Sequence, residues 1–269
     1  MITDKFEKMG ARAKVQKEPR PTTTPPRNRW GFRRQPFSGV SLNILRDKAG
    51  SYFSIRAGAD VELQILDTQP KDRHLLLMAR TDEGKAKFLC GHDERDWFVA
   101  AIPESSSASN VKTAKEALKP DEVLASESTT KMKRKKRGKR KNPASIRQGE
   151  WFFIPRPDLK VDPNLILKDE PLQRGRGKPH MAAELYRTGG QTVYVNSRHP
   201  NGISAKAYNK LSREEKKAGW RMMQRDPKAY VRGKIRHGDH KTVVLTFWHE
   251  VTMNTETQSR AMRHVAFLD

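Results

Sequence analysis

The sequence predicts a β-rich α+β chain: two small antiparallel-sheet or barrel-like modules joined by a basic, flexible linker. Three observations lead there. Short runs of β-branched and aromatic residues alternate with turn-forming clusters through residues 36–104, and again from 146 onwards. Between them lies "KMKRKKRGKRK", residues 131–141, with nine cations and no acid; such a run repels itself and has little to bury. Hydrophobic residues make up only 35 % of the chain against 32 % charged, a balance that leaves part of it without a core of its own.

Taken in order, residues 1–35 contain "KEPRPTTTPPRNR" and read as a disordered basic N-terminus, with structure starting near Pro36. Residues 36–104 form the first, near-neutral module. Its expected strands are "SLNIL", "YFSIR", "VELQIL", "HLLLMAR", "KFLC" and "DWFVAAI", with a hairpin turn in "TDEGKA" and with Leu75, Leu77, Phe88 and Val99 buried. Residues 105–145 are expected to be a mobile linker with one short helix in "NVKTAKEAL". Residues 146–269 form a basic α+β module. It opens on the strand "EWFFIP". A helix is expected over "HMAAELYR", introduced by Pro179 and stopped by "TGG". "QTVYV" follows as a strand. A second helix is expected over "SREEKKAGWRMMQRD", where Ser212 and Glu215 have capping-box spacing. Strands "YVRGKIR", "TVVLTFWHEV" and "RHVAFL" close the chain.

Several classes are disfavoured at once. One cysteine, Cys90, allows no intrachain disulfide and fits a reducing compartment. No apolar run approaches the roughly 18–20 residues that span a bilayer, and the first residues lack the apolar core of a secretory signal. The expected location is intracellular: cytoplasmic or nucleoid-associated, or nuclear in a eukaryote.

The net charge is +23, and its distribution matters more than its size. Ten basic groups face three acidic ones in residues 1–35, and twenty-three face thirteen in residues 142–269, whereas residues 36–130 carry twelve against fifteen. Cations gathered into flexible segments and one module imply a polyanionic partner. Nucleic acid fits best, either DNA or RNA; a membrane is disfavoured because the basic run has no apolar face to insert. No cofactor is expected under this reading.

The candidate contacts follow. Lys131, Lys133, Arg134, Lys135, Lys136, Arg137, Lys139, Arg140 and Lys141 would meet phosphates and release counterions. On a strand over Ala229–His237, Tyr230, Arg232, Lys234 and Arg236 share one face: three cations at a spacing of about 6.5–7 Å and a ring able to stack on a base. Arg174, Arg176 and Lys178, beside glycines and ahead of the expected helix, would add a phosphate cradle at a helix N-terminus. Trp151 and Trp220 are further stacking candidates that serve equally well as core.

A second reading starts from "HGDH". His237, Asp239, His240 and His249 would centre a metal- or histidine-dependent nucleic-acid-processing enzyme, nuclease-like in kind, with zinc or another divalent metal as its cofactor. His180, His199 and His264 are further possible ligands, and three histidines converging to metal-bonding distance would favour this reading. A third is a scaffold or assembly factor of a nucleoprotein complex, in which residues 36–104 recruit a protein partner. His92, Asp93, Glu94 and Asp96 crowd one turn of that module and are more readily a solvated corner than a metal site.

Overall fold

The computed structural model describes residues 1–19, 37–173 and 177–265, with only the backbone described at Arg134. It is β-rich, with several separate and mostly antiparallel sheets, and no sheet closes into a barrel among the described residues.

The chain begins with helix α1 (Ile2–Lys8) and strand β1 (Arg12–Lys17). Disorder was the expectation here, and the reason for the difference is apolar burial. Phe6, Met9 and Ala11 enter a core shared with Phe53, Ile55, Leu75 and Phe88, and the Phe6 and Phe53 rings meet at 4.9 Å. Residues 20–36, the proline-rich part of that expectation, lie outside the described residues. Strands β2 (Val40–Asp47) and β3 (Gly50–Ala57) form a hairpin, and β1 adds in parallel to β3. Strands β4 (Glu62–Gln69), β5 (His74–Thr81), β6 (Gly84–Asp93) and β7 (Asp96–Ile102) make a four-stranded antiparallel meander. All six strands expected between 36 and 104 are present, and Leu75, Leu77, Phe88 and Val99 are buried.

Residues 105–145 are folded where a mobile linker was expected. Helices α2 (Val111–Ala117) and α3 (Asp121–Thr129) precede a single turn, α4 (Arg134–Arg137). Asn110 caps α2 through the Thr113 amide, and Val111, Ala114 and Leu118 pack on Leu76, Leu89 and Ile102. Lys119 holds the next stretch in place. Its buried ammonium donates to Glu116, to Glu127 at 2.7 Å and to the Arg137 carbonyl at 3.1 Å. The lysine therefore ties the basic segment to two helices through charge-assisted bonds.

The second half is built on a six-stranded antiparallel sheet. Its strands are β8 (Ile146–Gln148), β9 (Trp151–Pro155), β10 (Leu167–Leu172) and β11 (His180–Thr188), joined later in the chain by β15 (Lys228–Arg236) and β16 (Val243–Met253). The order is β10-β11-β15-β16-β9-β8. Between β11 and β15 the chain makes a separate small sheet of β12 (Gln191–Val195), β13 (Ile203–Ser204) and β14 (Arg221–Arg225), carrying the short helices α5 (Ala205–Asn209) and α6 (Arg213–Lys216).

Two expected helices are corrected. "HMAAELYR" is strand β11, paired on both edges, with β10 and β15. A bulge between Ala182 and Glu184 shifts the inward face, so that His180, Ala182 and Leu185 are buried and the period of two is broken. "SREEKKAGWRMMQRD" gives one helical turn with the expected Ser212–Glu215 capping box, then Gly219 at φ +64° and strand β14. Of the expected strand "RHVAFL", Arg263 and His264 end a short 3-10 turn over Arg260–His264 and Val265 bridges to Leu42, while residues 266–268 lie outside the described residues. Ala261 and Val265 thus join the core that α1 and β2–β7 build.

Candidate functional site

The basic segment presents two chemistries. Lys131, Lys133, Lys135, Lys136, Lys139 and Lys141 are exposed, and none has an acidic partner among the described residues. Arg137 and Arg140 point elsewhere. Arg137 is half-buried, with Nε 3.4 Å from the Met132 carbonyl. Arg140 turns inward onto Asp93 at 3.0 Å and Glu94 at 2.8 Å, and Arg147 takes the second Asp93 oxygen at 3.1 Å. The acidic corner of the β6–β7 turn is therefore an anchor for arginines of the second half.

The strand face of Tyr230, Arg232, Lys234 and Arg236 is largely neutralised by its neighbours. Arg232 bonds Glu184 on β11, a carboxylate it shares with Lys168, and lies over the Trp248 ring at 4.8 Å. These cations hold the Glu184 carboxyl below its usual range. Arg236 pairs with Asp169 at 2.7 Å. Tyr230 leans on Tyr186, with ring centres 6.0 Å apart. Lys234 stays exposed. The reason lies in tertiary pairing, since β10 and β11 bring carboxylates beside cations that are remote in sequence. The expected cradle also dissolves. No helix follows Pro179, Lys178 donates to both oxygens of Asp239 at 2.8 and 2.9 Å, and Arg174 and Arg176 lie outside the described residues. Trp220 donates to the Glu215 carbonyl and stacks on His199.

The histidines assemble by strand register. β11 and β15 pair Met181 with Arg236, so the antiparallel ladder runs on to put His180 opposite His237. The connection from β15 to β16 spans residues 237–242 and folds His240 back onto the same spot. The three rings stack at small angles. Ring centres are 4.1 Å apart for His180–His237, 4.7 Å for His237–His240 and 5.4 Å for His180–His240. One nitrogen from each lies within 4.8 Å of the other two. His249 is not in this group. It is buried on β16, stacked on Phe247, with Nδ1 2.9 Å from the Phe247 carbonyl.

Burial lowers the basicity of all three rings. For His180, burial and the adjoining His237 and His240 push the imidazole down to about 3; His237 and His240 are lowered by burial first. Each shift favours the neutral imidazole, the form in which a ring nitrogen can ligate a metal. Asp239 lies below its usual carboxylate range: burial opposes this, and the Lys178 ammonium outweighs it.

Two residues that sequence reading passed over hold the cluster. Gln148, fully buried, donates from Nε2 to the carbonyls of Ile235 at 3.3 Å and Lys241 at 2.7 Å, stapling the β8–β9 turn to the histidine loop. Gly149 follows at φ +58°, and a Cβ there would sit 2.8 Å from His240 Nε2. The "QGE" turn between two strands was the available signal. The β6–β7 turn clamps the loop from the other side: the Lys241 amide donates to Glu94 at 2.6 Å, and Arg95 to the Gly238 carbonyl at 3.2 Å.

Beside the cluster is a cavity of about 430 Å³, bordered by His92, Glu94, Lys139, Arg140, Gly149 and His240 among others. It joins the foot of the exposed lysine segment to the edge of the histidine group. Comparison with protein-family models, curated proteins and solved structures found no match to this chain.

Proposed function

We propose that the protein binds nucleic acid through its lysine segment, with affinity dominated by phosphate contacts. One observation supports this above the others: six lysines within eleven positions stand exposed, without acidic partners among the described residues, on a segment anchored from beneath by Lys119 and Arg140. Anchored cations lose less freedom on meeting a phosphate backbone than those of a free tether, while counterion release supplies the driving force. Arg140, Arg147, Arg232 and Arg236 take a structural part, because neighbouring carboxylates match their charges. Lys234 is the member of the strand face that remains available.

The test is equilibrium binding to single- and double-stranded DNA and RNA across a salt series. Log affinity should fall linearly with log salt. Changing Lys131, Lys133, Lys135, Lys136, Lys139 and Lys141 to Gln should flatten the slope on duplex DNA by about 0.9 for each phosphate that is no longer neutralised. A salt-independent affinity, or no binding at low ionic strength, would end this reading.

The convergence of His180, His237 and His240 favours a second reading, in which the bound strand is also processed at that cluster. His249, named with the group from sequence, plays no part in it. Product analysis distinguishes the two: turnover that survives His249→Gln and disappears in His240→Gln supports processing, and intact substrate throughout leaves binding alone.

A further inference from the structure

Three clustered imidazoles with five of their six ring nitrogens unpartnered among the described residues are a liability in a folded chain. His180 is fully buried, and neither of its ring nitrogens has a hydrogen-bond partner among the described residues; the same holds for His237 Nε2 and for both nitrogens of His240. A neutral imidazole carries one N–H and one lone pair, and each buried group left unmet destabilises the fold. A cation at the meeting point would engage three lone pairs together.

We propose that His180, His237 and His240 form a three-histidine site for a divalent transition metal of the zinc class, with a remaining coordination position left to water or an incoming ligand. Neutral imidazole is a donor for this class of ion, and three protein ligands are the number found in open, reactive sites. The candidate donor atoms already lie within 4.8 Å of one another. The near-parallel rings need only turn toward a common point to reach bonding distances of about 2.0–2.1 Å.

The surroundings suit a bound cation. A Cβ at Gly149 would meet His240 Nε2 at 2.8 Å and His180 Nε2 at 3.4 Å, so both nitrogens face the same bare stretch of backbone. His240 Nδ1, on the far side of its ring, looks toward the Glu94 carboxylate at 3.8 Å. That carboxylate is itself fixed by Arg140 and the Lys241 amide. This is the carboxylate–histidine–metal order that orients a ligating ring and raises its donor strength. His237 Nδ1 accepts from the Asp239 amide, 3.1 Å away, and Nε2 is its unpartnered nitrogen. Asp239 adds negative charge next to two of the rings. Because Gly149 and His240 also border the cavity, the site has a route to a ligand larger than water.

This goes beyond polyanion binding and is tested without nucleic acid, so either idea can fail alone. The untagged full chain is stripped with a chelator, then titrated with zinc and with cobalt(II), and its metal content is counted by atomic emission. Expected are about one equivalent per chain with the intense visible bands of tetrahedral cobalt, and a higher unfolding temperature with zinc. His180→Gln and His240→Gln should each weaken zinc by at least about 100-fold, above the range that outer-sphere partners command. His199→Gln and His249→Gln should leave it unchanged. Near-ultraviolet circular dichroism of the metal-free variants checks folding. If both ligand variants unfold, the native chain decides: tetrahedral cobalt bands uphold the site, and a pale six-coordinate spectrum overturns it. Binding far below one equivalent, or binding that persists undiminished in a folded His240→Gln, also overturns it.

Discussion

His74 shows how one side chain is caught between packing and charge. It sits at the start of β5, its Nδ1 bonded to the Asp72 carbonyl and its ring edge-on to Phe98. Directly across the ladder is Gly91, where a Cβ would fall 2.5 Å from the ring; only glycine leaves room for an imidazole there. Burial first, and then Lys115, push this histidine down to about 4. The folded value lies below the unfolded one, about 6.5, so the unfolded chain gains the proton first as pH falls. The stability His74 contributes is therefore intact above about pH 6.5 and is lost as pH drops through about 4, by about 3 kcal/mol in all. Denaturant melts of the parent and of His74→Gln between pH 7 and pH 4 should show a shallower decline in the variant. Parallel declines would mean that the ring is wetter than its burial implies.

Among the elements, strands were readable where short β-branched and aromatic runs lie between turn-forming clusters. β2 to β7 emerge that way, although β5 is buried on both faces and β4 carries a bulge at Ile65/Asp67. β11 does not, because Pro179 and "TGG" frame it with the start and stop signals of a helix, and the slip at Ala182/Glu184 interrupts its alternation. Only as a strand paired with β15 does this segment place His180, one of three further candidates in sequence, opposite His237. The register of β15 and β16 also shifts between Val231 and Gly233, so the alternating faces expected there hold only in part. The histidine loop, its "HGDH" and His180 as a candidate ligand were visible in sequence; the register that brings His180 to the loop, the Gln148 staple and the carboxylates that neutralise Arg232 and Arg236 depend on distant segments and were not. The basic run belongs at this scale as well. Its charge was obvious, but its attachment depends on a turn some fifty residues earlier. Asp93→Asn should loosen that attachment, leaving Arg147 without its partner. We expect a loss of about 2 kcal/mol, short of the roughly 3–5 for a sealed pair, because the Arg147 side chain keeps 24 % exposure. Chemical denaturation measures the loss, and faster proteolysis within residues 131–141 should accompany it.

At the scale of the whole molecule, the two halves share more than a linker would allow. The first core takes Phe6 from α1 and Ala261 and Val265 from the other end of the described chain. Glu104 accepts from the Ser259 hydroxyl and from the Arg260 and Ala261 amides. Thr255 donates through its hydroxyl to the Ala117 carbonyl. Among the described residues no helix is long and apolar enough to cross a membrane. Phe6→Ala should cost about 3–5 kcal/mol, as an aromatic lost from a core does, although the residue lies in a stretch whose composition suggests disorder. Thermal and chemical melts decide this, and a change below about 1 kcal/mol would mean that α1 is an ornament on the sheet.

The way Ala261 and Val265 close that core also sets a timetable. A nascent chain that has emerged only as far as β9 has every strand of the first two sheets but lacks the segment that seals them. Its apolar interior stays open on one side until translation reaches the 260s. Ribosome-stalled intermediates should therefore be sticky, and a chaperone would find its binding surface over β2 and the β6–β7 hairpin.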